Sequence, residues 1–336
     1  MFSFGKRVGI DLGTANSLVW LAGVGVVLNE PTVVAISVDD NRVVAVGNEA
    51  KEMLGRTPGN ILASKPLRDG VISDYLVTEA MLKYFLDRVC GRARVFKPEV
   101  MVCVPAGVTS VERRAVLDAT LSAGARTAYL IDEPLAAAIG AKIPIGAPSG
   151  NMIVDIGGGS TEAAVISLGG VVVHNSVRVG GNKLDEAIVS YVRRKYNLII
   201  SDRMAEEIKI KIGSAMPLDP KEKMEIRGRD SLVGLPKTVE INSDEVSEAI
   251  AIPLSQIVSS VKAVLEQTPP ELSSDIIDKG IIMSGGTSLL RNLDKLLTKE
   301  ISVPCYVAEN PLFCVVYGTG IALENLDLYR RAIFKK

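Results

Sequence analysis

One histidine stands in 336 residues, and aromatic side chains make up only 4% of them. The lone His174 excludes histidine triads and clustered imidazole metal sites, and is read as an ordinary strand or hairpin residue. So few aromatics leave no stacking platform for single-stranded nucleic acid. Charge of one sign is also missing: 38 Lys and Arg nearly cancel 39 Asp and Glu, so no global field draws the chain to nucleic acid, and none is expected as a partner. Cys90, Cys103, Cys305 and Cys314 form no CxxC pair and read as small core residues of a reducing compartment. No GxxxxGK loop followed by Ser or Thr occurs, nor a GxGxxG opening a helix, which excludes Walker and dinucleotide sites. Leu12 to Asn29 is free of charge, but Gly13, Thr14, Asn16, Ser17, Gly23 and Gly25 interrupt it, so it reads as paired strands rather than a membrane span. The amino terminus lacks a secretory apolar region with a cleavage site, and a cytoplasmic protein is expected.

What the chain has is Val, Ile, Leu and Ala in an apolar share of 47%, the composition of buried α/β sheets, in a length that accommodates two domains. Gly9 to Leu21 reads GIDLGTANSLVWL, and Ile153 to Ile166 reads IVDIGGGSTEAAVI. Each places an aspartate in a β-branched run, then glycines, then a second apolar run: strand, tight turn, strand. Asp11 and Asp155 are 144 positions apart (155 − 11), nearly half the chain, which argues for a duplicated architecture. Glycine turns leave backbone N–H groups free to face an anion, and an aspartate beside them can hold magnesium through water. A third turn, Ser284-Gly285-Gly286-Thr287, suits a nucleotide's phosphates or sugar. Elsewhere Thr109 and Glu112 form a capping box, and Tyr129 to Ile131 is a strand followed by Asp132-Glu133-Pro134, which puts Glu133 at a strand's carboxyl end. Helices are expected over Asp202–Ile212, over Ser243–Glu266 with a kink at Pro253 and a stop at Pro269-Pro270, and over Ser288–Leu297.

Five stretches, IDLGTANS, IDEPLAAAIG, VDIGGGSTEAAVI, IIMSGGTSLL and YGTGIALEN, appear in the order of the nucleotide-site motifs shared by actins, DnaK-type chaperones and sugar kinases. Within that superfamily the chain resembles the MreB family of bacterial actin homologues, through VVLNEPTVVAI, PLRDGVISDYLVTEAMLKYF, VPAGVTSVERRAV, EEIKIKIGSA and GRDSLVGLPK. The resemblance spans residues 10 to about 325. It implies an α/β, actin-like fold of two related ribonuclease-H-like domains, 1–142 plus about 316–336 and 143–315, with ATP and Mg2+ in the cleft between them. On this reading Gly13, Thr14, Ala15 and Asn16 line one phosphate loop and Gly157, Gly158 and Gly159 the other. Asp11 and Asp155 position hydrated magnesium. Glu206 and Lys209 contact ribose and base, Gly285, Gly286 and Thr287 form the adenosine loop, Glu133 is the catalytic acid, and Thr161 its partner near the attacking water. By themselves these residues also fit plainer roles. Glu133 before a proline suits a helix start, Glu206 with Lys209 a solvated pair, and Thr161 a strand. Thr287 stands where many family members have glycine, and Asn182 with Lys183 where acidic residues are common.

Phosphoryl transfer to water needs positioning and charge neutralisation more than a strong base. Neither Asp11–Leu18 nor Asp155–Ile166 contains lysine, so slow hydrolysis, the behaviour of a timed switch, is expected. A small-molecule kinase would need an acceptor pocket and a chaperone a peptide-binding domain; no insertion supplies the first, and the chain ends at Lys336 soon after the last motif. The resemblance therefore implies self-assembly into filaments and a part in bacterial cell shape. It also implies peripheral placement on the inner face of the cytoplasmic membrane, with membrane proteins of the cell-wall elongation machinery as partners. Val95-Phe96 among Arg92, Arg94 and Lys97, and Phe2 and Phe4 before Lys6 and Arg7, are apolar tips flanked by cations, suited to an anionic bilayer. Phe96 capping a core and Phe2 in a frayed end are the plain alternatives.

Overall fold

A computed structural model of the protein describes residues 5–40, 42–68, 70–92 and 96–335; Phe2, Phe4 and Val95 lie outside them. Two sheets organise the chain. The first runs, edge to edge, Ile333–Lys335, Thr127–Asp132, Glu99–Val104, Arg7–Leu12, Asn16–Leu21, Gly25–Pro31. The second runs Cys305–Val307, Ile281–Ser284, Asn151–Ile156, Thr161–Ser167, Gly170–Val177. Leaving out the carboxy-terminal strand, the order is the same. Arg7–Leu12 pairs antiparallel with its hairpin partner and parallel with Glu99–Val104, and Asn151–Ile156 does the same with Thr161–Ser167 and Ile281–Ser284. Each sheet with its helices is one lobe.

Period-two alternation fixes what each sheet does. Val8, Ile10 and Leu12 enter a core with Met81, Phe85 and Val116, while Met152, Val154 and Ile156 enter another with Leu184, Ile188 and Ile257. The opposite faces, carrying Met101 and Ile131 from one sheet and Ile153 and Ile166 from the other, meet in a third core around the helices Glu133–Gly140 and Cys314–Glu324. These helices follow equivalent strands and cross at glycines. A Cβ on Gly140 would stand 1.8 Å from the Cys314 carbonyl oxygen, and one on Gly318 1.7 Å from that of Ala136. The contact is reciprocal, each glycine meeting the residue four before the other, as duplication requires.

Local signals act as expected where the chemistry is local. Thr109 and Glu112 make both capping-box bonds at the start of Ser110–Ser122, and Pro134 sits in the first turn of Glu133–Gly140. Pro253 lies within Ser243–Gln267. That helix is apolar and long enough to cross a membrane by composition, yet its Val246, Ile250, Ile257 and Val261 are buried in the second lobe's core. The helix ends at Gln267, just before Pro269-Pro270 as expected, and Pro270 then opens a new helix, Pro270–Lys279. After the SGGT turn a 3-10 turn, Gly286–Leu289, intervenes and the α-helix starts only at Leu293, because the Leu290 N–H closes on the Thr287 carbonyl at 3.0 Å. A small three-stranded sheet with the helix Asn48–Met53 rises from the first lobe, and the helix Asp202–Ile212 from the second.

Candidate functional site

Asp11 lies near the end of its strand and Asp155 near the end of the equivalent one, so duplication brings the two carboxylates to a shared cavity of about 380 Å³ between the lobes, a volume usual for small-molecule sites. The glycine loops meet above them. A Cβ on Gly158 would come 2.6 Å from Ala15 Cβ, and one on Gly159 2.4 Å from Thr14 Oγ1; larger residues would drive the lobes apart. Thr32, buried and unforeseen from the sequence, braces the first loop: its hydroxyl donates to the Gly13 carbonyl at 2.6 Å and its N–H to that of Ala15 at 3.0 Å. In the second loop the Gly157 carbonyl accepts from Thr287 Oγ1 at 2.8 Å and from the Gly181 N–H, and the Gly158 carbonyl from the Asn182 N–H. Thr287 thus ties the Ser284–Thr287 turn to the second glycine loop, a bond glycine could not make. With the carbonyls held, the N–H groups of Thr14, Ala15, Gly158 and Gly159 have no backbone acceptor among the described residues, the arrangement of an anion-binding nest.

Asp11, Asp155 and Glu133 line the cavity together. Asp11 is pushed up to about 7 by desolvation and by the charge of Asp155, against a bond from the Cys103 thiol. Asp155 is pushed to about 6 by burial, opposed by the Ser284 hydroxyl donating at 2.6 Å. Burial also holds Glu133 well above the usual carboxylate range, with Glu162 the strongest charge acting on it. Such a site asks for a cation. Two buried carboxylates, Asp11 and Asp155, at one cavity are a donor set of the kind Mg2+ uses, an ion that keeps several waters and binds through one or two carboxylates plus phosphate oxygens.

Thr161 does not reach the cavity. In the pairing Ile156↔Thr161 and Asp155↔Glu162, alternation puts Thr161 with Ile156 on the core side and Glu162 with Asp155 on the cleft side. The Thr161 hydroxyl, fully buried, donates to the Val179 carbonyl at 2.7 Å. Ser160, one position earlier, lines the cavity together with Gly13, Thr14, Asn16, Gly157 and Glu133. Glu162, not foreseen, accepts from Ser176 Oγ and from the Ala106 N–H of the other lobe. Glu206, Lys209, Gly285 and Gly286 all line the cavity. Lys209 is committed to protein: it donates to Asp185 Oδ2 at 2.9 Å and to the Gly181 carbonyl at 3.1 Å. Asp185, buried and likewise unforeseen, is held near 6 by desolvation against the pull of Lys209. At the outer end Ile210, Leu289, Leu290 and Leu312 offer apolar walls.

A model of the family described as MreB/Mbl protein matches residues 5–331. The chain belongs to the MreB/Mbl family. Escherichia coli (strain K12) "Cell shape-determining protein MreB" is 52% identical over 338 residues, covering 99% of this chain and 97% of that protein. Bacillus subtilis (strain 168) "Cell shape-determining protein Mbl" is 51% identical over 324 residues, 96% and 97% of the two chains. Among solved structures, MreB 5 of Spiroplasma citri bound to AMPPNP superposes with a TM-score of 0.92 at 38% identity, covering 98% of each chain, and MreB5 bound to ADP with 0.91. A chain of the MamK double helical filament gives 0.78 at 22% identity, a likeness of fold alone. The fold is therefore actin-like, and the MreB/Mbl relatives carry names for cell-shape determination rather than for a kinase or chaperone.

Proposed function

We propose that the chain is an ATP-binding, slowly hydrolysing actin-like cytoskeletal protein, which assembles with copies of itself into filaments at the inner face of the cytoplasmic membrane and helps determine cell shape. The observation that carries the reading is the pair of glycine loops pressed face to face over Asp11, Asp155 and Glu133. The S. citri relative of the same fold has AMPPNP or ADP bound, and the same ligand class suits this cleft. The amides of Thr14, Ala15, Gly158 and Gly159 take the phosphates, and Glu206 the ribose. Asp11 and Asp155 would hold Mg2+ through water, and the bound ion would supply charge neutralisation to the transferring phosphoryl group. Glu133 orients the attacking water, with Ser160 rather than Thr161 lining the cavity near it. Hydrolysis is slow because neither loop has a lysine and Lys209 is spent on Asp185.

Membrane contact belongs to the same reading. Phe96 is 61% exposed and Lys97 follows it, and weak contacts of this kind add along a filament. Partners among membrane proteins of the elongation machinery follow from that location.

One set of sedimentation assays tests the proposal. Protein should pellet with Mg2+ and ATP and release phosphate slowly; Glu133→Gln should keep the pelleting and lose on the order of 100-fold in phosphate release. Anionic vesicles should co-sediment with the protein and do so less with Phe96→Ser. Pelleting indifferent to ATP, or turnover that rises with an added acceptor, would overturn the reading.

A further inference from the structure

The lobes also meet through charged side chains outside the glycine loops themselves. There the first lobe presents lysines and the second acids. Lys51, on Asn48–Met53, stands 3.4 Å from Glu206 on Asp202–Ile212. The two residues are 155 positions apart and come from opposite lobes. Exposed Lys65 of the first lobe lies close enough to Asp185 of the second to favour its charged form. Lys51 is firmly mounted: Glu30 accepts from the Asn48 N–H at 2.9 Å and from Asn48 Nδ2 at 3.0 Å, and Ala50 is buried. Glu206 lines the cavity, whereas Lys51 does not. Lys209, one turn further along the same helix, would compete for Glu206 but is taken by Asp185 and the Gly181 carbonyl.

We propose that Lys51 is a positioning residue for the nucleotide site: by pairing with Glu206 across the mouth of the cleft, it holds the lobes closed and limits how fast bound nucleotide leaves. This rests on the reading that the cleft holds a nucleotide. The side chains are 40% and 39% exposed, so the pair is screened by salt and its effect on release is about 1.5- to 5-fold. Its value lies in geometry: a modest cross-cleft bond acts only on the closed form, and so on the exit rate rather than on hydrolysis itself.

The test is stopped-flow release of a fluorescent ATP analogue from the full chain, with Mg2+, below the concentration at which it pellets. Lys51→Ala should release about 1.5- to 5-fold faster than the parent, Lys51→Glu faster still, and Lys51→Arg at the parental rate. Salt should speed release from the parent towards that of Lys51→Ala and leave the variant unchanged. Lys83→Glu, an exposed lysine elsewhere on the lobe, controls for net charge. Parental release rates in both Lys51→Ala and Lys51→Glu, or an equal acceleration in Lys83→Glu, would overturn the proposal. Failure of the parent to bind the analogue would instead overturn the nucleotide reading beneath it.

Discussion

Thr161→Val and Ser160→Ala separate what a strand's two faces do. Valine keeps the shape of Thr161 but replaces its hydroxyl with a methyl, removing a 2.7 Å bond in a fully buried position. The Val179 carbonyl then has lost its donor, so about 1–3 kcal/mol of stability should go. That is a fraction of the total for a folded domain, and almost all molecules stay folded at room temperature. Phosphate release per molecule should therefore remain within about twofold, since no cavity atom has changed. Ser160→Ala should do the reverse. Ser160 lines the cavity, so stability should move by no more than about 1 kcal/mol, while on the proposed function release falls on the order of tenfold or more as a polar group of the site is lost. Urea unfolding midpoints and single-turnover phosphate release on the same preparations measure both. If Thr161→Val abolished hydrolysis at unchanged stability while Ser160→Ala did neither, the strand-face argument would be wrong.

Gly318→Ala places a Cβ 1.7 Å from the Ala136 carbonyl oxygen, where 3.4 Å is the ordinary limit, so the crossing helices must part by about 1.7 Å (3.4 − 1.7); a loss of about 3 kcal/mol or more is expected in urea unfolding. Gly286→Ala, whose Cβ would meet Leu312 only at 3.4 Å, should cost less than about 1 kcal/mol, and equal midpoints for the two would refute the close crossing. Burial raises Glu133 and Glu162 above the ordinary carboxylate range, as it does Asp155 to about 6 and Asp11 to about 7. The folded nucleotide-free protein therefore holds protons that the unfolded chain has released. Its stability should be full below the unfolded carboxylate range and decline as pH rises through 6 to 7, with Glu162→Gln flattening the decline; a thermal midpoint that climbs over that interval would contradict the sign.

Much of the site was legible because it rests on local chemistry. An aspartate closing a β-branched run before glycines needs no tertiary contact to be recognised, and neither does the Thr109–Glu112 box, whose N–H to carboxylate bond is 2.7 Å. Thr161 was misplaced for a definite reason. Which of two neighbouring residues faces the cleft depends on how many residues the Gly157–Ser160 turn uses before pairing resumes, and a slip of one exchanges the faces. Thr32 beneath Gly13, and Lys51 opposite Glu206, lie beyond any local pattern because the fold alone makes them neighbours.

The duplication carries a further consequence. Both lobes supply an aspartate, a glycine turn and a helix crossing at glycine, so the frame is nearly two-fold. The proposed hydrolysis cannot be, since water must attack from one side. Where Glu133 precedes Pro134, the equivalent place before Pro311 holds Asn310, at a φ of 76° and exposed. An amide cannot take a proton from water as a carboxylate can. On the proposed function the chemistry therefore falls to one side of a repeated scaffold through a single acid, Glu133, and it is a departure from the repeat that gives the cleft a direction.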